Sequence, residues 1–432
     1  MKVCTQHSKS SATQENKSLK PYAHSQKTQQ TQNKSLNSSF KMLKLKTKNA
    51  TPAQTFKKYE PRLKKAKESL LKRKYADFLY LPNQDILPLI KLVTPLKNKF
   101  TDVVIVGMGG SILGAQMLFH TLQKPHTTSP RIHFVDNIDP NLIASFEEPL
   151  NRKKTLFLLV SKTGNTLETT TIFDLIHKGA KKWFGKNWRN HITIITENKD
   201  GILYKKALKD DLLVFPMPKY VGGRYSVLTT AGLVPAILMG IDVKSLLKGA
   251  ESAQKSKTAT TLAVLIHQMY TQKKKTTLAL FPYIDCFEYF NKWTIQLIAE
   301  SLGKNSRIGP LPVGMIGAKD QHSTLQLLLD GPKDKWVLFF ELEKYTKDYI
   351  ANGTKYSEIL KAQKKGTEGA LTKKRVPNAS LSLEKLNAEN LGELIFTFEA
   401  AVALAGEMLG VNPFNQPAVE LGKRITKKLL SK

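Results

Sequence analysis

From residue 101 onward the chain alternates two signals, and that alternation restricts its fold more than any other feature. Short, continuous apolar runs fall at 102–106, 132–135, 155–160, 192–195 and 212–215, with helix-like stretches such as 112–122 between them. A strand with one wet face alternates apolar and polar residues, whereas unbroken apolar runs belong to parallel strands covered by helices on both faces. Residues 100–245 therefore read as a doubly wound α/β domain. Strand-like runs recur at 277–281 and 336–341, among helical patterns at 287–302, 321–329 and 391–409. They predict a second α/β unit over 270–432, ending in a C-terminal helix. The polar stretch 251–261 reads as the start of the crossing between units. Residues 343–380, rich in Lys, Gly and Thr, read as an exposed excursion. No sequence repeat links the two halves.

The chain before residue 100 is different in kind. Residues 51–99 read as a helical lead-in. Residues 1–50 are Lys, Ser, Thr, Gln and Asn with few large apolar groups. Such a segment cannot offset its ordering entropy and is predicted to be a disordered basic extension. It lacks the apolar core of a secretory signal. It is acidic-poor and Ser-rich like an organelle transit segment, yet the first arginine is Arg62. A dispensable extension, or a start at Met42, is the simpler reading.

A net charge of +32 raises the question of a nucleic-acid partner. The lysines are scattered rather than gathered with interleaved aromatics, so the expectation is a solvated surface and no nucleic acid. The positive field would still steer an anionic small molecule. No apolar run approaches the roughly 20 residues a bilayer needs, and residues 231–241 are broken by Pro235, so no membrane span is expected. Cys4 and Cys286 offer neither metal-ligand spacing nor a disulfide framework, which fits a reducing, cytoplasmic setting.

Chemistry concentrates in strand-to-helix turns. Ser161-Lys162-Thr163-Gly164-Asn165-Thr166 follows the run 155–160 and opens a helix. Free N–H groups and the helix dipole converge there, and Ser161, Thr163 and Thr166 can each donate to an anionic oxygen, which makes the turn a phosphate site. A plain helix cap would need fewer hydroxyls. Gly107-Met108-Gly109-Gly110-Ser111 is a second such turn, either a tight turn or a ligand loop. It lacks the spaced third glycine of a dinucleotide fingerprint. In Gly222-Gly223-Arg224-Tyr225-Ser226 two glycines allow close backbone approach and aim a guanidinium.

Three further segments carry titratable groups. Trp293, Leu297 and Glu300 share one helical face, so Glu300 is a carboxylate on an apolar stripe. Burial there would raise its pKa and suit it to general-base work; the alternative is a buried structural ion pair. His322, in Lys319-Asp320-Gln321-His322, can serve acid–base chemistry, although a lone histidine is more often structural. Gln416 and Lys423 lie seven apart on a loop-to-helix segment; Lys423 is otherwise a helix C-terminal cation.

Taken together and in this order, these segments resemble the glucose-6-phosphate isomerases, in their shorter bacterial form. The resemblance runs from about residue 100 to 425 and is carried by Gly-Gly-Arg-Tyr-Ser at 222–226, Asp-Gln-His at 320–322 and Val-Glu-Leu-Gly-Lys at 419–423. It implies two sugar-isomerase (SIS-type) α/β domains, a homodimer, a sugar-phosphate substrate, and no cofactor or metal. By motif, Glu300 would shuttle a proton between C1 and C2. His322, reaching in from the partner subunit, and Lys423 would open the sugar ring. Arg224 would stabilise the enediolate. Gly110, Ser111, Ser161, Lys162, Thr163, Thr166, Gly223 and Gln416 would hold the substrate. Gly164-Asn165 replaces a bulkier pair, Asn415 stands where Asp is frequent, and Pro417-Ala418 replaces Pro-Gly or Trp-Gly; these departures touch fine substrate contacts and leave the catalytic groups in place. A dual glucose/mannose phosphate isomerase and a non-catalytic phosphosugar-binding module are the alternative readings.

Overall fold

Two five-stranded sheets organise the chain in a computed structural model that describes residues 43–48, 53–122, 130–147 and 150–431. The described chain opens with strand β1 (Lys44–Lys48), helix α1 (Ala53–Leu71) and helix α2 (Leu87–Lys99). The first sheet follows: β2 (Asp102–Gly107), α3 (Leu113–Leu122), β3 (Arg131–Val135), α4 (Pro140–Glu147), β4 (Thr155–Val160), α5 (Leu167–Phe184), β5 (Ile192–Thr196), α6 (Ile202–Asp210) and β6 (Leu213–Pro216). Its spatial order is β3-β2-β4-β5-β6, all parallel. Every residue of β2, β4 and β5 is buried, while the flanking β3 and β6 are partly exposed. Alternate residues enter different cores. Val104, Val106 and Leu159 pack with Ile172, Phe173 and Ile176 of α5, whereas Val103, Ile105 and Leu158 face α3 and the helices beyond. This two-sided burial is why the strands read as unbroken apolar runs.

Helices α7 (Thr230–Leu238), α8 (Val243–Lys255) and α9 (Thr258–Thr271) lead to the second sheet. It comprises β7 (Thr277–Pro282), α10 (Glu288–Leu302), β8 (Leu311–Gly314), α11 (Leu325–Asp330) and β9 (Lys335–Leu342), then a hairpin of β10 (Ile350–Ala351) and β11 (Thr354–Lys355), α12 (Tyr356–Lys373), β12 (Asn378–Leu383), α13 (Ala388–Met408) and α14 (Val419–Leu430). The order is β1-β12-β9-β7-β8, parallel except for β1. One apolar cluster runs from β2 and β4 through α8, α9, α10 and α13 to β7 and β9, so the two sheets share a core. Helix α13 is its axis. Its backbone touches α8 so closely that a Cβ at Gly249 would lie 1.7 Å from the Glu389 carbonyl oxygen, and one at Gly392 only 1.9 Å from that of Leu246.

Several expectations need correction. The extension predicted to be disordered over 1–50 ends too late: Lys44–Lys48 pair with β12, and Leu43 is buried. The rest of that extension lies outside the described residues. The stretch 251–261 falls between the two sheets, where the crossing was read, and is built from the end of α8 and the start of α9. The excursion 343–380 holds helix α12 and runs into the first three residues of β12, a strand buried throughout. Asn-Ala-Ser-Leu-Ser-Leu hides its strand signal because the polar positions are satisfied inside: Lys364 Nζ donates to Ser380 Oγ at 2.6 Å, Ser380 Oγ donates to Glu368, and Ser382 Oγ donates to Glu341 at 2.8 Å.

Candidate active site

Strands β2 and β4 are neighbours, and Gly107 lies opposite Val160 where both end. The chain continues from β2 to β3 on one side and to β4 on the other. The crevice beyond these carboxyl ends is the switch point at which open α/β sheets take ligands. Both predicted turns emerge here. Gly109 has a φ of 51°, and a Cβ at Gly110 would lie 2.4 Å from the carbonyl carbon of Gly223. Only glycine lets the 107–111 turn touch the 222–226 turn. Ser226 Oγ, 3.2 Å from Gly110 O and 2.6 Å from Gly223 O, bridges them.

In the other turn Ser161 is fully buried and shares a 2.8 Å hydrogen bond with Thr166 Oγ1. Gly164 N–H donates to Ser161 Oγ at 3.2 Å, and Asn165 N–H to Thr163 Oγ1 at 3.3 Å. Thr166 is the N-cap of α5 but makes no side-chain capping bond, so the opening N–H groups of an 18-residue helix keep their pull on an anion. Lys162 departs from expectation. Its Nζ donates to the carbonyls of Lys219 (2.9 Å) and Val221 (2.6 Å) and lies over the Tyr75 ring. Burial lowers its pKa. It fastens the approach to Gly222-Gly223-Arg224 rather than pointing at the anion turn.

Arg224 is the hub. It is 3 % exposed. Its Nε donates to Ser301 Oγ (2.7 Å), Nη1 to Glu300 Oε2 and Gln416 Oε1 (both 3.0 Å), and Nη2 to the carbonyls of Pro413 (2.5 Å) and Asn415 (3.2 Å). Tyr225 OH closes the back of this group at 3.0 Å from Ser301 Oγ, and burial pushes its pKa up to about 12. Phe414 packs against the Tyr225 and Phe78 rings and anchors the loop that carries Gln416.

Glu300 sits differently from the sequence expectation. Trp293 and Leu297 are buried as the helical stripe requires, and Ser301 and Leu302 keep the last turn of α10 in the core, but Glu300 falls on the edge of that stripe and faces the crevice. The Glu300 side chain is 32 % exposed and paired with Arg224, not buried in apolar surroundings. Its second oxygen accepts from Gln296 Nε2 at 3.0 Å. Gln296 also borders Gly109, where an added Cβ would be 2.8 Å from Nε2. Sequence reasoning missed Gln296 and Lys304, although their spacing of four on either side of Glu300 on a helix was the available signal.

The chain thus brings together Gly110, Gly223, Arg224, Glu300 and Gln416, and joins them to Ser161 and Thr166 through Lys162. It does not bring His322 and Lys423 to them. His322 is exposed just after the short turn Lys319–Gln321 and makes no hydrogen bond with the Arg224 group among the described residues. Lys423 lies on α14, none of whose residues is buried, and its Nζ pairs with Glu420 at 2.7 Å. The physical reason is that α14 lies on the surface, with every one of its residues exposed. Among the described residues, no cluster of three or more His, Cys, Asp or Glu side chains is arranged to hold a metal ion. No helix among them is long and apolar enough to cross a membrane.

Comparisons with known proteins bear on the family and the fold. The phosphoglucose isomerase family profile matches residues 94–360 and 346–432. The glucose-6-phosphate isomerase of Methanocaldococcus jannaschii is 36 % identical over 349 residues, covering 77 % of this chain and 85 % of that protein. A hypothetical protein from Thermus thermophilus superposes with a TM-score of 0.83 at 29 % identity, over 90 % of this chain and all of that one. The crystal structure of a glucose-6-phosphate isomerase from Chlamydia trachomatis gives a TM-score of 0.73 at 25 % identity, over 80 % of this chain and 72 % of that one.

Proposed function

The chain belongs to the phosphoglucose isomerase family, and from that premise we propose how its own residues carry the reaction. The activity is the interconversion of glucose 6-phosphate and fructose 6-phosphate, an aldose–ketose isomerisation of glycolysis and gluconeogenesis. Ser161, Thr163 and Thr166, with the first N–H groups of α5, hold the phosphate. Gly110, Ser111 and Gly223 line the sugar with backbone, and Lys162 acts indirectly by fixing the 219–224 turn. Glu300 takes the proton from C2 and returns it to C1. The negative charge that develops on the enediolate oxygens is met by Arg224, already aimed and desolvated, so little reorganisation is needed at the transition state. Gln416 and Gln296 orient the sugar and the carboxylate.

His322 and Lys423 open the ring. Both are exposed in the single chain, and α14 presents Leu421, Ile425 and Leu429 to solvent. An apolar helix face of this kind calls for a cover. A homodimer in the cytoplasm, with the partner subunit's His322 completing each site, accounts for both features.

The observation that carries this reading is the 3.0 Å contact of Glu300 with Arg224, one loop away from the anion turn. A coupled assay with fructose 6-phosphate tests it. Glu300→Gln keeps the shape of the site and the Gln296 neighbour, so we expect KM within a few-fold of wild type and kcat lowered about a thousandfold. A variant that retains a tenth of the rate would remove Glu300 from the base role.

A further inference from the structure

Lys304 belongs to no motif considered above, yet it sits one helical turn beyond Glu300 and is half-buried. Its Nζ donates to two carbonyls, that of Glu300 in the last turn of α10 and that of Asn415 across the site. Asn415 O also accepts from Arg224 Nη2 at 3.2 Å. Two cations therefore converge on one oxygen. Among the described residues, that oxygen is the last backbone acceptor tied to the body of the protein before α14, whose residues are all exposed. Upstream, Phe414 anchors the loop by packing between aromatic rings. Downstream of Asn415 the Gln416 side chain is held by Arg224 Nη1. We propose that Lys304 is a positioning residue: with Arg224 it clamps the 413–416 segment to the end of α10, and so holds Gln416 against Glu300.

Arg224 alone is a poor clamp because its guanidinium is already divided among Ser301, Glu300, Gln416 and the Pro413 carbonyl. Lys304 relieves it at Asn415. The arrangement carries a cost, since an ammonium is drawn out of water beside another cation. The charged groups facing Nζ are Arg224 from the 222–226 turn and Glu300 from the last turn of α10; residues 412–418 have no titratable side chain. Burial first, and Arg224 second, lower the Lys304 pKa to about 8, against the opposing pull of Glu300. Lys304 is therefore charged at neutral pH and loses its charge as pH rises through about 8. The clamp slackens on the alkaline side while Arg224 and its contacts persist.

The inference rests on the reading of Glu300 and Arg224 given above, and its test is chosen to fail separately. Steady-state kinetics with fructose 6-phosphate would be measured across pH 6.5 to 9.5, limits that bracket the titration by about 1.5 units. The proteins are full-length wild type, Lys304→Met, Lys304→Arg, Gln416→Ala and the Lys304→Met/Gln416→Ala double variant. Lys304→Met should lower kcat/KM about tenfold at neutral pH, with the loss absent when Gln416 is already alanine, because coupled residues do not add. Lys304→Arg should restore most of the activity and carry the alkaline decline to higher pH. The clamp is overturned if Lys304→Met stays within about twofold of wild type, or if its loss multiplies with that of Gln416→Ala. It is equally overturned if the alkaline limb of Lys304→Arg coincides with that of wild type. That last comparison decides the matter even where the methionine variant does not fold. A full-speed Glu300→Gln would instead sink the underlying reading.

Discussion

The anion turn after β4 and the C-terminal arm that begins at Gln416 are built on opposite principles. In the turn every group is held from within the chain: Ser161 against Thr166, Gly164 N–H on Ser161, and Lys162 on two carbonyls of the neighbouring loop. In the arm the last internal ties are at Asn415 and Gln416. Beyond them, Lys423 has only the i,i+3 partner Glu420, a surface ion pair worth about 0.3–0.5 kcal/mol. On the proposed reading, phosphate binding is preorganised by a single chain, whereas ring opening depends on groups whose places that chain alone does not determine. The hub between the two is Arg224, which is buried, whereas the Glu300 it pairs with opens toward solvent.

The largest effect expected from this division is seen in mixtures. Glu300→Gln and His322→Gln should each be slowed by orders of magnitude on their own. If His322 serves the other subunit's site, a mixed dimer has one site with both substitutions and one with neither. Random reassociation of equal amounts then restores about a quarter of wild-type activity, since half of the dimers are mixed and each holds one intact site. Restoration is read by co-expressing differently tagged chains and assaying the mixed dimer. A mixed dimer as dead as its parents places His322 in its own subunit's site and breaks the contrast, because the exposed half would then close upon itself.

The two regions also differ in how far the sequence revealed them. The turn after β4 was legible as a strand end and helix start because its hydroxyls and glycine fall within six residues of an unbroken apolar run, with no distant partner needed. The first sheet was legible for a similar reason, since burial on both faces leaves an unbroken apolar run. What escaped was anything settled by distant partners. Glu300 looked buried from its helical stripe, but which edge of that stripe borders the crevice depends on where the 222–226 turn and the 413–416 loop lie. Lys162 looked like an anion ligand until Val221 and Lys219 claimed it. Strand β12 hid because Lys364, Glu368 and Glu341 satisfy serines that would otherwise mark a loop. Gln296 and Lys304 required the Glu300 assignment first and then the step of four along the helix.

A smaller effect sharpens the contrast from its rigid side. Thr166→Ala removes a hydroxyl from the turn and leaves Ser161 Oγ without its 2.8 Å partner. Neither group takes part in proton transfer. KM for fructose 6-phosphate should therefore rise about tenfold with kcat nearly unchanged, the pattern of lost uniform binding. Thr166→Ser, which keeps the hydroxyl, should recover most of that loss. A fall in kcat as large as the rise in KM would mean that the turn shapes the transition state, and phosphate anchoring could no longer be separated from catalysis.

The smallest effect concerns the other end of the chain. A protein starting at Met42 keeps Leu43, whose N–H donates to Glu393 Oε1 at 2.9 Å, and keeps β1 along the edge of β12. It should match the full-length protein in both activity and melting temperature. A protein starting at residue 53 loses that N–H and uncovers the β12 edge. An unsatisfied buried partner costs about 1–3 kcal/mol, so the melting temperature should fall by a few degrees. Activity at 25 °C should hold, because β1 and β8 are at opposite edges of the second sheet and α10 lies beside β8. The deficit has a sign in pH. Burial raises the Glu393 pKa, and the Leu43 N–H opposes that rise by favouring the ionised form. Where acid keeps the carboxyl protonated, the donor matters little and little is lost. Toward pH 8 the ionised form needs the donor, so the gap between the Met42 and residue-53 proteins should widen as pH rises. Thermal melts of the two at pH 5 and pH 8 measure it. An equal gap at both would show that β1 acts only as an edge cover and that Glu393 is indifferent to it.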